Sequence, residues 1–143
     1  MNAPIAIIGA GGWGTALAVT MARQGKQVRL WSYEPYVVET MIATRENPLY
    51  LPAIRVPDSV VVSNSMSDVL ADAGIVIIAA PSHVYRLVFT QMLPLVNPDM
   101  LFVSAAKGIE NETSMRMSEV LADVAKPHFL PRVAAMSGPT FAL

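Results

Sequence analysis

The chain has 143 residues with two histidines and no cysteine, which excludes disulfides, thiol nucleophiles and thiolate metal sites, and we expect no metal. Ten basic and eleven acidic side chains give a formal charge of −1, so the basic surface that nucleic-acid binding requires is missing and we expect no nucleic-acid partner. Although the mean hydropathy is +0.44, no apolar run approaches the ~20 residues of a membrane span and no basic signal-peptide segment stands at the start, so we expect a cytoplasmic protein without membrane insertion.

Short apolar segments alternate with helix-like segments along the chain. Strands are predicted at 4–9, 27–32, 59–63, 74–81, 100–105 and 132–137, and helices at 13–24, 35–45, 67–73, 84–93 and 114–125. The predicted strands are rich in Val, Ile and Leu, which is typical of strands buried on both faces. Strand followed by helix, repeated, indicates an α/β fold of the Rossmann-like, doubly wound type, with a mostly parallel sheet and helices on both faces. Segment 45–59 contains three prolines and is predicted to be a loop.

Four glycines occupy six positions between the first predicted strand and the first predicted helix. Gly9, Gly11 and Gly14 match the pattern G-x-G-x-x-G, in which the first glycine permits a tight turn, the second admits a pyrophosphate and the third allows close helix packing. The phosphates then lie at the helix N-terminus, where free N–H groups favour negative charge. Trp13, inside the motif, is compatible with stacking on a dinucleotide and equally with packing beside the sheet.

The second predicted strand ends at Ser32, followed by Tyr33 and Glu34. A dinucleotide-binding unit usually presents an acid to the ribose 2′-hydroxyl about 20 residues beyond the glycine motif. Glu34 comes slightly later than that, so it is either an acid that repels a 2′-phosphate or a solvated carboxylate at a helix start. The pattern therefore predicts NAD or NADP without choosing between them.

In a parallel sheet the carboxyl ends of all strands meet at one edge, where ligands bind. Lys107 follows the fifth predicted strand, and there it can reach an anionic substrate or be an ordinary surface lysine. Gly138 and Thr140 follow the sixth strand in a turn that either binds a phosphate or binds nothing. His83, after the fourth strand, is either an acid–base group or a helix-capping residue.

Five sequence blocks in the chain resemble the N-terminal half of bacterial NAD(P)-dependent glycerol-3-phosphate dehydrogenase. The blocks are "GAGGWGTALA" at 9–18, "NPLYLP" at 47–52, "PSH" at 81–83, "AAKGIE" at 105–110 and "SGPTFA" at 137–142. They follow the order of the family and extend over the whole chain. Two positions differ from the family pattern: Gly12, where many members carry serine, and Tyr33, near which many carry a basic or imidazole group.

The resemblance implies that residues 1–143 form an NAD(P)-binding Rossmann domain and that a C-terminal helical domain is absent from this chain. It implies an oxidoreductase that interconverts dihydroxyacetone phosphate and sn-glycerol 3-phosphate by hydride transfer, in glycerophospholipid precursor synthesis. The proton-transfer lysine of the family lies in the helical domain, so no catalytic residue is expected here and the chain alone should be inactive. A homodimer, if one forms, is expected to use that missing domain.

The resemblance also assigns residues to ligands. The cofactor side consists of Gly9, Gly11, Gly12, Trp13, Gly14, Tyr33, Glu34, Lys107 and Ala142, and the side facing the phosphorylated substrate consists of Lys107, Gly138 and Thr140. Two alternatives remain open: another two-domain dehydrogenase of the 6-phosphogluconate or 3-hydroxyacyl type, and a non-catalytic NAD(H)-sensing domain. A reading frame that continues into ~150–200 helical residues would favour an enzyme, whereas a different module would favour a sensor.

Overall fold

The computed structural model describes residues 3–106 and 108–136, in which strands and helices alternate. The strands are β1 (Ile5–Ile8), β2 (Val28–Trp31), β3 (Val61–Ser63), β4 (Ile75–Ile78), β5 (Leu101–Ser104) and β6 (Arg132–Ala135). The α-helices are α1 (Gly12–Arg23), α2 (Pro35–Thr44), α3 (Met66–Leu70), α4 (Tyr85–Met92) and α5 (Met117–Ala125), and 3₁₀ turns occupy Ser82–Val84 and Leu93–Leu95. Each predicted strand and helix is therefore present, with shorter bounds in most cases.

The six strands form one parallel sheet in the order β3-β2-β1-β4-β5-β6. Strand β1 lies between β2 and β4, with Ile8 level with Trp31 on one side and with Ile78 on the other. The chain order reverses at β1 and β4, which is the position where sheets of this type bind ligands at their carboxyl edge. The predicted Rossmann-like, doubly wound fold is confirmed.

Helices cover both faces of the sheet, which explains why its strands are apolar without interruption. Successive strand residues point to opposite faces, so Ile7 joins the apolar layer beneath α1 and α2 while Ile8 joins the layer beneath α3, α4 and α5. In the second layer the rings of Phe89 and Phe102 meet edge to face, with centroids 5.5 Å apart. No helix in the described ranges is long and apolar enough to cross a membrane.

One helix start differs from its predicted position, and the difference has a clear backbone cause. Helix α5 begins at Met117 rather than at Ser114, because Ser114 has a φ of +60°, which is outside the helical region. Residues 45–59 form the predicted loop, and Arg45 holds it together by donating hydrogen bonds to the carbonyl oxygens of Pro57 (3.3 Å) and Val60 (2.9 Å). The loop is thus an ordered part of the domain.

Candidate functional site

At the carboxyl edge of the sheet, the glycine turn (residues 9–14) lies close to the backbone that follows β4. Gly9 has a φ of +118°, and a Cβ there would lie 2.9–3.0 Å from the backbone of Ala79 and Ala80, just after β4. A Cβ on Gly14 would lie 1.9 Å from the carbonyl oxygen of Gly9 and 3.3 Å from the Ala79 Cβ. The tight turn at Gly9 and the close helix packing at Gly14, both predicted from the glycine spacing, are therefore observed.

Gly11 differs from these two glycines because the space that a side chain would occupy is open. Its φ of −73° suits any residue, and no heavy atom lies within 4 Å of a Cβ built there. Gly11 precedes helix α1, and no described residue accepts a hydrogen bond from the N–H groups of Gly12, Trp13 or Gly14. Unpaired N–H groups at the start of a 12-residue helix, beside open space, form a site suited to an anion.

Asn47 attaches the loop after α2 to the glycine turn. Its side chain is buried, and its Nδ2 donates to the carbonyl oxygen of Ala10 (2.8 Å) and to Oγ1 of Thr15 (2.9 Å). Its Oδ1 accepts from the Tyr50 N–H (3.3 Å), and its carbonyl oxygen accepts from the Leu51 N–H (2.8 Å). Sequence reasoning did not single out Asn47; an asparagine directly before a proline in a loop was the available signal.

Tyr50 lies over the glycine turn as a result of these bonds. Its carbonyl oxygen would be 2.8 Å from a Cβ on Gly12, so a serine side chain has no room there in this chain. A serine at residue 12 would therefore require the Tyr50 backbone to move.

The end of β2 holds the candidate ribose acid. The N–H of Glu34 donates to Oγ of Ser32 (3.2 Å), and the Glu34 carboxylate accepts from the Tyr50 hydroxyl (2.9 Å). The hydrogen bond to Glu34 and the charge of that carboxylate raise the pKa of Tyr50. This hydrogen bond is exposed to solvent and is compatible with both alternatives for Glu34, the ribose acid and the solvated carboxylate.

Two aromatic residues predicted at the cofactor side differ in their surroundings. Trp13 is half-buried and packs against the apolar layer beneath α1 and α2. The Tyr33 side chain is 79% exposed and meets the buried Trp31 edge to face, with ring centroids 6.5 Å apart. Packing thus accounts for part of the Trp13 surface, whereas most of Tyr33 is available to a ligand.

Polar contacts also organise the ends of β4 and β5. The buried Tyr85 hydroxyl donates to Oγ of Ser104 (2.8 Å) at the end of β5, and burial raises the pKa of Tyr85 above its usual range. His83 is exposed in the 3₁₀ turn and has no side-chain hydrogen bond to any residue that the structure describes. Neither the acid–base role nor the helix-capping role of His83 is therefore supported by these contacts.

Arg86 on α4 ties the loop after β5 to the helices. Its Nε and Nη2 donate to the two carboxylate oxygens of Glu110, both at 2.9 Å, and its Nη1 donates to Asp123 on α5 at 2.7 Å. The Thr113 hydroxyl adds a 2.6 Å hydrogen bond to Glu110. The Arg86 guanidinium and this hydroxyl lower the pKa of Glu110 to about 2.

The remaining predicted site residues, Lys107, Gly138, Thr140 and Ala142, lie outside the described residues. Within residues 3–106 and 108–136, no group of three His, Asp or Glu side chains is arranged to hold a metal ion. The described part of the site is therefore the glycine turn, the β2 end and the segment 47–51 that joins them.

Comparison of the sequence with known proteins identifies a family. Residues 4–143 match the family model described as NAD-dependent glycerol-3-phosphate dehydrogenase N-terminus. The chain is 52% identical over 139 residues to a glycerol-3-phosphate dehydrogenase (NAD(P)+) of Koribacter versatilis and 42% identical over 139 residues to one of Syntrophobacter fumaroxidans. These alignments cover 96% and 97% of this chain but 41% of each relative, so the chain spans about two fifths of their length.

A solved structure agrees with these sequence relatives. The crystal structure of glycerol-3-phosphate dehydrogenase from Coxiella burnetii superposes with a TM-score of 0.83 at 36% identity. The superposition covers 94% of this chain and 39% of that one. The backbone described above is therefore that of the N-terminal part of these enzymes.

The glycine packing predicts the sign of a substitution that helix propensity alone would get wrong. Replacing glycine by alanine inside a helix normally stabilises it by up to about 1 kcal/mol. Gly14→Ala should instead lower the free energy of unfolding by about 1–3 kcal/mol, because the new methyl group meets the Gly9 carbonyl oxygen. Urea denaturation measures this change. Gly11→Ala is the matched control, with an expected change of less than about 1 kcal/mol; a stabilised Gly14→Ala variant would contradict the packing.

The Arg86–Glu110 pair predicts a pH-dependent stability. Because the folded-state pKa of Glu110 is lowered from 4.5 to about 2, the pair stabilises the fold above pH 4.5 and loses this effect as the pH falls towards 2. Glu110→Gln should therefore be less stable than wild type at pH 7, with a difference that shrinks between pH 4.5 and pH 2. Thermal unfolding at several pH values tests this. The exposed Glu112→Gln is the control, and a difference independent of pH would refute the ion pair as its cause.

Proposed function

Because the chain belongs to the NAD-dependent glycerol-3-phosphate dehydrogenase family, whose N-terminal part it matches, we propose that residues 1–143 form the NAD(P)-binding domain of an oxidoreductase. Its reaction would interconvert dihydroxyacetone phosphate and sn-glycerol 3-phosphate, which supplies glycerophospholipid precursors. The observation that carries this proposal is the open space at Gly11 beside unpaired N–H groups, in a turn that is otherwise closely packed. Relatives named as dehydrogenases favour this reaction over a sensor or a dehydrogenase of another type.

The described residues fit a dinucleotide. A Cβ at Gly11 would fill the space that a pyrophosphate needs, and the N–H groups of Gly12 and Trp13 would donate to its oxygens. Tyr33 and Glu34, at the end of the neighbouring strand β2, would border the adenosine ribose. A bound NAD(H) or NADP(H) would supply the hydride exchanged with the substrate carbonyl.

The substrate side of the proposal rests on family resemblance and charge. Lys107 would contact both cofactor and substrate, since an ammonium group stabilises a phosphate and the negative charge that develops on a carbonyl oxygen. Gly138 and Thr140 would line the substrate, and Ala142 the cofactor. Arg86 supports this side indirectly, because it holds Glu110 three residues beyond Lys107.

The rest of the enzyme would come from a second domain. The relatives are about two and a half times as long as this chain, and a C-terminal helical domain carrying the proton-transfer lysine is part of the proposal. A homodimer would form through that domain. We further propose a cytoplasmic enzyme that has a phosphorylated small-molecule substrate and no nucleic-acid partner.

Gly11→Val should abolish measurable binding of dinucleotides while the chain stays folded, because its side chain enters the open space and no heavy atom lies within 4 Å of a Cβ there. Calorimetric titration with NADH and with NADPH measures the binding, and circular dichroism checks the fold. Thr20→Val, an exposed position on the same helix, is the matched control and should bind as wild type does. Unchanged affinity in a folded Gly11→Val variant would rule out the pyrophosphate site.

The 143-residue chain should bind the cofactor without turning over dihydroxyacetone phosphate. General acid–base groups typically contribute 10²–10⁴-fold to such reactions, and in this proposal the proton-transfer lysine belongs to the second domain. The loss of NADH absorbance in the presence of dihydroxyacetone phosphate measures turnover. A rate near that of a complete enzyme would contradict the proposal and make Lys107 the candidate acid.

A further inference from the structure

The Tyr50–Glu34 pair connects the two parts of the proposed dinucleotide site. We propose that Tyr50 is a positioning residue that fixes the Glu34 carboxylate for a ribose 2′-hydroxyl, so that the chain selects NAD(H) over NADP(H). This inference rests on the proposed function and deepens it, because that function leaves the choice of dinucleotide open.

The first step is that the backbone of Tyr50 is held at the glycine turn. Asn47 donates to the Ala10 carbonyl oxygen and to Thr15 on α1, and its Oδ1 accepts from the Tyr50 N–H. The Tyr50 carbonyl oxygen in turn lies against Gly12. The two bonds that Asn47 donates are buried and the one it accepts from Tyr50 is part-buried, and together they fix where the Tyr50 side chain begins.

The second step is that the Tyr50 side chain reaches the end of β2. Its hydroxyl donates to the Glu34 carboxylate at 2.9 Å, so a single tyrosine spans the gap between the glycine turn and Glu34. Strands β1 and β2 are neighbours, with Ile8 level with Trp31, so their carboxyl ends open onto the same crevice. A dinucleotide whose pyrophosphate lies at Gly11 extends its adenosine ribose across this crevice towards β2.

The third step concerns the Glu34 carboxylate, which has a hydrogen-bond donor but no ion-pair partner among the described residues. Tyr50 engages one oxygen of Glu34, and no described side chain donates to the other oxygen, which can accept from a ribose hydroxyl. Glu34 forms no salt bridge with any residue that the structure describes. Arg45 and Arg55, on the loop after α2, both pair with Asp58 instead. A 2′-phosphate beside Glu34 would therefore meet a negative charge that no described cation neutralises through a salt bridge.

The fixed position of the carboxylate makes the selectivity depend on Tyr50. A free glutamate side chain can rotate away from a 2′-phosphate, whereas one held by a hydroxyl cannot do so without breaking that bond. Removing the hydroxyl should therefore weaken discrimination while leaving the glycine turn, where the pyrophosphate would lie, unchanged.

The test is the ratio of the dissociation constants for NADPH and NADH, measured by calorimetric titration of the chain. We expect wild type to bind NADH at least about tenfold more tightly than NADPH. Glu34→Gln should remove this preference by strengthening NADPH binding, and Tyr50→Phe should reduce the ratio by about threefold or more. Tyr36→Phe is the matched control, since Tyr36 is exposed on α2 and makes no side-chain hydrogen bond to a described residue.

The ratio distinguishes selection from a general structural role, because structural damage weakens both dinucleotides alike. Equal affinity of wild type for NADH and NADPH, or an unchanged ratio in Tyr50→Phe, would overturn the inference while leaving the proposed function intact. Failure of wild type to bind either dinucleotide would overturn the proposed function itself and the inference with it.

Discussion

The contact of Gly14 with the Gly9 carbonyl oxygen is the constraint on which the carboxyl edge depends. It lets the first turn of α1 lie directly against the ends of β1 and β4, at a distance that any side chain would prevent. The start of α1 is thereby placed at the point where the strand order reverses. The N–H groups without a described acceptor and the open space at Gly11 follow from that placement, so a site suited to an anion arises from backbone packing.

Apolar packing and hydrogen bonds stabilise different features of this domain. Two apolar layers hold the helices to the sheet. The loops at the carboxyl edge are positioned instead by buried or charge-assisted hydrogen bonds. Asn47 does this on the side of α1, and Arg86 does it on the side of α4 and α5. Directional bonds suit this task because they fix orientation, which apolar contact does not.

The segment after α2 shows how a loop becomes part of a site. Its prolines disfavour regular structure, so its backbone groups need partners from elsewhere. Asn47 accepts from the N–H groups of Tyr50 and Leu51 within the loop, and its Nδ2 donates to Ala10 and Thr15, more than thirty positions earlier in the chain. The Tyr50 side chain then reaches Glu34. The loop thus links the glycine turn to the end of β2, two features that the strand order alone would leave as independent neighbours.

Sequence alone determined the fold class, the six strands, the five helices and the packing roles of Gly9 and Gly14. These depend on local patterns, such as the length of apolar runs, helix spacing and glycine spacing, that adjacent residues express together. It did not determine the role of Asn47, the partner of Glu34 or the late start of α5. Only the tertiary structure decided these, because each depends on a long-range contact or on a single backbone angle that no periodicity records.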